Sequence, residues 1–177
     1  MHSHLYPLVL RGIAQDNMRD ADQRINALLQ SVCELLNLEV GMISRIDPVS
    51  NCYIVAYTAS REKSITAGTH YSLGITYCSL VLRRGDLVSI TDMRVSPQFR
   101  HPCYEQIDVA VYIGVPLVIN NIFFGIVNFT SAQPRERKFS PEERALVRTV
   151  TDFLGELVWS DYANFIRRNP MDTTAGV

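Results

Sequence analysis

No stretch of the chain holds the roughly 18–20 consecutive apolar residues that a membrane-spanning helix needs, and Met1 to Arg11 lack both a cationic leader and a small-residue cleavage site. A membrane span is therefore excluded and a cytoplasmic location expected. Clustered basic charge is missing too: 17 Lys and Arg stand against 18 Asp and Glu, for a net charge of −1. A protein that neutralises several phosphates at once needs a cationic stripe, so nucleic acid is not an expected partner. The densest basic stretch, Arg135, Arg137 and Lys138 around Glu136, reads as a solvated loop. The four cysteines, Cys33, Cys52, Cys78 and Cys103, form no CxxC pair, which removes the zinc-knuckle and redox-dithiol patterns and leaves free thiols. His2, His4, His70 and His101 are scattered, and no metal site is expected.

What is present is an ordinary globular composition, 47% hydrophobic and 20% charged over 177 residues, enough for one domain with one core. Between Asp20 and Leu38, Ala21, Ile25, Leu28, Leu29, Val32, Leu35 and Leu36 recur at three-four spacing and predict an amphipathic helix. The period then changes to two. Val40, Met42 and Ile46 alternate with polar or small residues, a turn follows at Asp47-Pro48-Val49-Ser50-Asn51, and Cys52 to Thr58 supplies a second strand.

Residues 60–75 show little periodicity and are expected to form a loop that could close over something. Thr76 to Arg84 predicts a short helix, Leu87 to Ile90 a short strand, and Thr91 to Ala110 irregular chain interrupted by Pro97 and Pro102. The strongest local signal is a hairpin, Tyr112 to Ile119 and Ile122 to Phe129, joined by Asn120-Asn121, two residues that tolerate left-handed backbone angles. Gly114 and Gly125 inside it point to close approach of another backbone or of a ligand, or to simple strand packing. Ser140-Pro141-Glu142-Glu143 has the form of a capping box with proline in the first turn. The apolar stripe after it, from Leu146 through Val147, Val150, Phe153, Leu154, Leu157 and Val158 to Tyr162 and Phe165, is longer than one sheet face requires.

Gly74-Ile75-Thr76-Tyr77-Cys78 followed by Leu87 to Asp92, then Tyr112-Ile113-Gly114-Val115-Pro116-Leu117, Gly125-Ile126-Val127-Asn128-Phe129 and Phe139-Ser140-Pro141-Glu142-Glu143, resemble in order and spacing the bacterial sensory GAF domains over residues 20–160. That resemblance implies an α+β fold of the GAF/PAS-like kind: a central antiparallel β-sheet with N- and C-terminal helices on one face and a pocket of loops and short helices on the other. The domain is expected at 19–168, after a flexible extension or helix start at 1–18 and before a disordered tail at 169–177. In the family the ligand lies on the sheet under the segment that corresponds to residues 60–110. The resemblance thus places Tyr77, Cys78, Asp92, Phe99, His101, Cys103, Tyr104 and Tyr112 around a small molecule whose identity the sequence does not give. Plain core packing, a turn cap at Asp92 and half-exposed His101 and Tyr104 are the alternative for the same residues.

Three narrower groups within the family share parts of this pattern. Bilin-binding photoreceptor domains attach their chromophore through a cysteine in the stretch of Cys103, but Tyr104 stands where the adjacent histidine belongs. The cyclic-nucleotide signature is echoed by Asn128, Phe139, Glu142 and Glu143, yet Phe129 replaces its lysine. A thiol enzyme resembling free methionine sulfoxide reductase would need Cys78 or Cys103 activated by electropositive surroundings, and the family's cysteine spacing is not reproduced. The expected function is therefore a non-catalytic sensory domain, of the type found with sensor kinases of two-component systems or with cyclases. It is expected to form a homodimer through the first and last helices, with Leu146, Val150, Phe153 and Leu157 facing their counterparts from Ala21 to Leu36.

Overall fold

A computed structural model describes residues 6–47, 49–60, 65–96 and 109–161. Helices α1 (Tyr6–Ala14) and α2 (Ala21–Leu36) precede strands β1 (Val40–Asp47), β2 (Cys52–Ser60) and β3 (His70–Ser72). Helix α3 (Cys78–Arg84) and strand β4 (Val88–Ile90) follow, then the hairpin β5 (Val111–Ile119) and β6 (Ile122–Ser131), and finally α4 (Pro141–Ser160). The strands form one antiparallel sheet in the order β3-β2-β1-β6-β5-β4. The α+β architecture expected from the sequence is the one observed.

Local chemistry sets the element ends. Asp20 accepts from the Gln23 amide at 2.8 Å and Gln23 returns a bond to the Asp20 amide, so α2 opens on a capping box. Its apolar stripe, Ile25, Leu28, Leu29 and Val32, is fully buried, each residue contributing about 1.5–3 kcal/mol relative to exposure. The box foreseen at α4 is also present: Ser140 accepts from the Glu143 amide at 3.2 Å, and Glu143 accepts from the Ser140 amide at 2.8 Å. Asn120 and Asn121 adopt φ of 50° and 62°, the left-handed pair a two-residue hairpin demands.

Side chains at alternate strand positions divide the sheet into two faces. Ile43, Val111, Ile113, Val115, Leu117, Val127 and Phe129 meet α2 and α4 in the main core. On the reverse face a smaller cluster, Tyr77, Cys78, Val81, Val88, Ile90, Met93, Tyr112 and Ile126, packs under α3.

Three expectations change. Residues 60–75 are not all loop: His70–Ser72 add an edge strand to β2, held by the stacked rings of Tyr53 and Tyr71 at 5.1 Å, and Leu73–Ile75 form a 3-10 turn. The chain before Asp20 contains α1, whose Leu10 is fully buried against α2 and α4. The apolar residues expected at a dimer interface are spent inside one chain: Leu146, Val150 and Leu157 on α4, and Ile25, Leu28, Leu29 and Val32 on α2, are 0–6% exposed, and Phe153 packs against the same core. The long stripe of α4 is wide because it covers the sheet with one side and meets α1 and α2 with another.

Candidate functional site

Between β4 and the hairpin, the face under α3 gathers hydroxyls, a thiol and a carboxamide in the middle of the sheet. Cross-strand pairing builds it in rows. Thr58 lies opposite Met42, Met42 opposite Asn128, and Asn128 opposite Gly114; in the next rows Thr130 is opposite Tyr112, and Ser44 is opposite Ile126. Ser44, Asn128, Thr130 and Tyr112 are 0–6% exposed.

Tyr77, Cys78 and Tyr112 are brought together. The Tyr77 and Tyr112 rings meet edge to face, centroids 5.6 Å apart. The Tyr112 hydroxyl donates to Cys78 Sγ at 3.9 Å, Cys78 Sγ lies 4.0 Å from Ser44 Oγ, and Ser44 Oγ donates to the Ile126 carbonyl at 3.3 Å. With Ser44 donating to the carbonyl, the thiol proton points to the Ser44 oxygen, and the chain of bonds ends on backbone. Burial pushes the Cys78 thiol pKa up, against weaker lowering by Tyr112, Ser44 and Thr76. Cys78 is thus a neutral, hydrogen-bonded thiol at physiological pH, the opposite of an activated nucleophile.

Gly114 owes its identity to this cluster. The Tyr112 ring lies over it, so a Cβ there would collide with the tyrosine hydroxyl. Gly125 has a different reason: a Cβ would strike the carbonyl oxygen of Ser44 on the neighbouring strand, which is the close backbone approach foreseen as one of its two readings.

Asp92 ends the strand side of the site and caps the 3-10 turn at Met93–Val95, accepting from the Arg94 amide at 3.0 Å. Its two carboxylate oxygens also receive the Arg94 guanidinium at 2.9 and 2.7 Å, which, with the amide, holds its pKa below the usual carboxylate range. Phe99, His101, Cys103 and Tyr104 lie outside the described residues. Among the described residues no group of His, Cys, Asp or Glu could hold a metal ion, and no helix is long and apolar enough to cross a membrane.

Ser44 and Thr130 do not stand out as site residues in the sequence, and Asn128 does so only through its echo of the cyclic-nucleotide signature, although a signal existed. In β6, Asn128 and Thr130 alternate with Val127 and Phe129, so period two places them on the face opposite the helices. Their Asn128 neighbour Thr58 shares a second feature with it: Thr58 Oγ1 and Asn128 Oδ1 are buried atoms with no hydrogen-bond partner.

Arg135 corrects the solvated-loop expectation. Its guanidinium, 12% exposed, reaches Glu143 at 2.7 Å and the Leu36 carbonyl at 3.4 Å and lies 4.2 Å over the Phe139 ring, while its amide donates to the Thr91 carbonyl at 2.8 Å. Arg137 adds a second pair with Glu143 at 2.8 Å. The position that lacks the cyclic-nucleotide lysine is therefore not without an ion pair at Glu143; arginines from the loop supply it.

Residues 20–158 match the family model described as GAF domain. No curated protein sequence matches the chain. Among solved structures it is similar to the GAF domain from a phosphoenolpyruvate-protein phosphotransferase of Coxiella burnetii, at 19% identity over 93% of this chain and 98% of that one, TM-score 0.73. It is similar to the phycocyanobilin-bound GAF domain from a cyanobacterial phytochrome, at 18% identity over 90% and 96%, TM-score 0.68. Free methionine-R-sulfoxide reductase from Neisseria meningitidis, solved in complex with its substrate, is similar at 16% identity over 93% and 94%, TM-score 0.69. At such identities the likeness is one of fold.

Proposed function

The chain belongs to the GAF domain family, and from that premise we propose that it is a non-catalytic sensory module that binds a small molecule on the sheet face beneath α3. One observation carries the reading. Ser44, Asn128, Thr130 and Tyr112 are buried at the centre of that face, where a domain with only a structural duty would place apolar residues, because each buried polar group must recover the hydrogen bonds it loses to water. Tyr77, Cys78, Asp92 and Tyr112, with Phe99, His101, Cys103 and Tyr104, are the residues we assign to the ligand's surroundings.

Catalysis through Cys78 is disfavoured by its raised pKa and its closed set of hydrogen bonds. The module would act in the cytoplasm in a two-component or cyclase pathway, passing ligand occupancy to an output partner through its helical layer. Its homodimer would use the outer surface of that layer, where Leu8 and Val9 of α1 are 65% and 58% exposed, rather than the buried stripes of α2 and α4. Native mass spectrometry and an absorption spectrum of the protein isolated from its own cells test the ligand. The expected result is a bound mass that leaves on denaturation, with the unadducted chain remaining. Isolation with nothing bound, or sulfoxide-reducing turnover lost in Cys78→Ser, would overturn the proposal.

A further inference from the structure

The apolar stripe of α2 has one large member that a single chain leaves open. Leu35 is 37% exposed, while Ile25, Leu28, Leu29, Val32 and Leu36 are 0–3% exposed. It lies in a groove of about 440 Å³ where the start of α1, the end of α2 and the first turns of α4 meet, floored by Leu35, Leu36 and Leu146 and walled by Tyr6 and Pro7. Pro7 leads directly into Leu8 and Val9, the exposed pair on the outer helical surface where the homodimer is proposed, so groove and surface are continuous.

The rim is acidic. Arg135 and Arg137 are both engaged with Glu143, and beyond that ion-paired cluster the groove meets a second cleft, of about 640 Å³, which Leu35 and Leu36 also line. Glu142 in the groove, with Glu39 and Glu136 in the cleft, forms no ion pair with a described residue. A segment that suits both features carries large apolar side chains followed by positive charge. After α4 the sequence holds one, Phe165-Ile166-Arg167-Arg168.

That segment cannot reach the groove of its own chain. Glu143, which shares both clefts with Leu35 and Leu36, lies nearly five turns before Ser160, about 26 Å along α4. Even fully extended, the stretch from Asp161 to Phe165 spans at most about 18 Å. A second copy is not so limited: when two such helical layers meet antiparallel across a two-fold axis, the end of each α4 faces the first turns of the other. The geometry points to a reciprocal contact in which Phe165 and Ile166 of one chain enter the Leu35 groove of a second copy, while Arg167 and Arg168 meet its Glu142 and Glu136. This contact rests on the homodimer of the sensory reading and names the residues that make it.

Sedimentation velocity of the full chain over a concentration series, with native mass spectrometry of mixtures, tests it. The wild type is expected to dimerise, and Leu35→Lys and Phe165→Asp each to raise the dimer dissociation constant about tenfold or more with unchanged circular-dichroism spectra. An equal mixture of these two variants should form a heterodimer at concentrations where each alone is monomeric, because the intact groove of the Phe165→Asp chain receives the intact tail of the Leu35→Lys chain. Glu142→Arg, a second groove variant if Leu35→Lys folds poorly, should weaken the dimer, and adding Arg167→Glu and Arg168→Glu to it should restore the dimer. A dimer indifferent to Phe165→Asp, a mixture no more dimeric than its components, or a failed charge exchange would overturn the contact. Sensitivity to Leu35→Lys alone would also overturn it and give the groove to another segment, such as residues 1–5. A wild type that is monomeric yet carries a small molecule from its own cells would leave the sensory reading standing and remove only this contact.

Discussion

Glu143 is held at a pKa of about 2: burial alone would raise it, but Arg137, the Ser140 amide and Arg135 together outweigh that burial. A carboxylate whose folded pKa lies below its value of 4.5 in the open chain stabilises the fold fully above that value, and the contribution fades as pH falls from 4.5 toward 2. Glu143→Gln keeps the capping-box bonds, since glutamine also serves there, and removes only the charge. Urea unfolding at neutral pH should show a loss on the order of 2 kcal/mol, discounted for the exposed Arg137, and the gap from wild type should close by about pH 2. A gap that persists in acid would mean that the ion pairs are not its source. Glycine gives a second comparison. Gly125→Ala forces a methyl group against the Ser44 backbone, whereas Gly114→Ala meets a tyrosine side chain. The first should cost about 3 kcal/mol or more and the second less, because a side chain yields more readily than a strand. Equal losses in denaturant midpoint would contradict that ordering.

Among elements, the hairpin shows how far local chemistry reaches. Among the described residues the non-glycine positions of positive φ are Asn37, Asn51, Asn120 and Asn121, all asparagines, one capping α2 and three in the turns between strands. Asn121→Ala is expected to cost about 1 kcal/mol because alanine pays the full left-handed penalty, while Asn121→Gly should stay within about 0.5 kcal/mol of wild type. Circular-dichroism melts that rank alanine above glycine would sink this account of the turn. Elements of this kind were legible in the sequence: the α2 stripe, the Ser140 box and the alternating strands each declare themselves within a few residues. Helix α1 and strand β3 were not. The nine residues of α1 bury fully only Leu10, and the three of β3 are fixed by pairing with β2 and by Tyr71 stacking on Tyr53, so both depend on partners distant in sequence. The same division runs through the site. Tyr77, Cys78 and Tyr112 stood in recognisable motifs, but Arg135 looked like a surface charge until its contacts with Leu36, Phe139 and Glu143 were known.

At the scale of the molecule, the proposed sensory role requires one face of the sheet to inform the other, and Arg135 touches both. Its amide binds the Thr91 carbonyl, next to Asp92 at the rim of the α3 face, while its guanidinium holds the C-terminal turn of α2 and the first turn of α4. Arg135 is thus placed to carry a displacement at Thr91 to two helix ends without passing through the packed strands. Spatial position alone does not establish such coupling; a measured change of equilibrium does. Arg135→Met retains the apolar stem that lies on Phe139 and deletes the charge. Native-state hydrogen exchange should then show amides in the last turn of α2 and the first turn of α4 opening about tenfold faster, equivalent to about 1.4 kcal/mol of local stability, while the centre of β5 and β6 is unaffected. In the wild type, ligand binding should slow exchange at those two helix ends, and in Arg135→Met that response should vanish although the ligand still binds. If the helix ends respond equally in both proteins, the signal travels through the sheet itself and Arg135 is only a local brace.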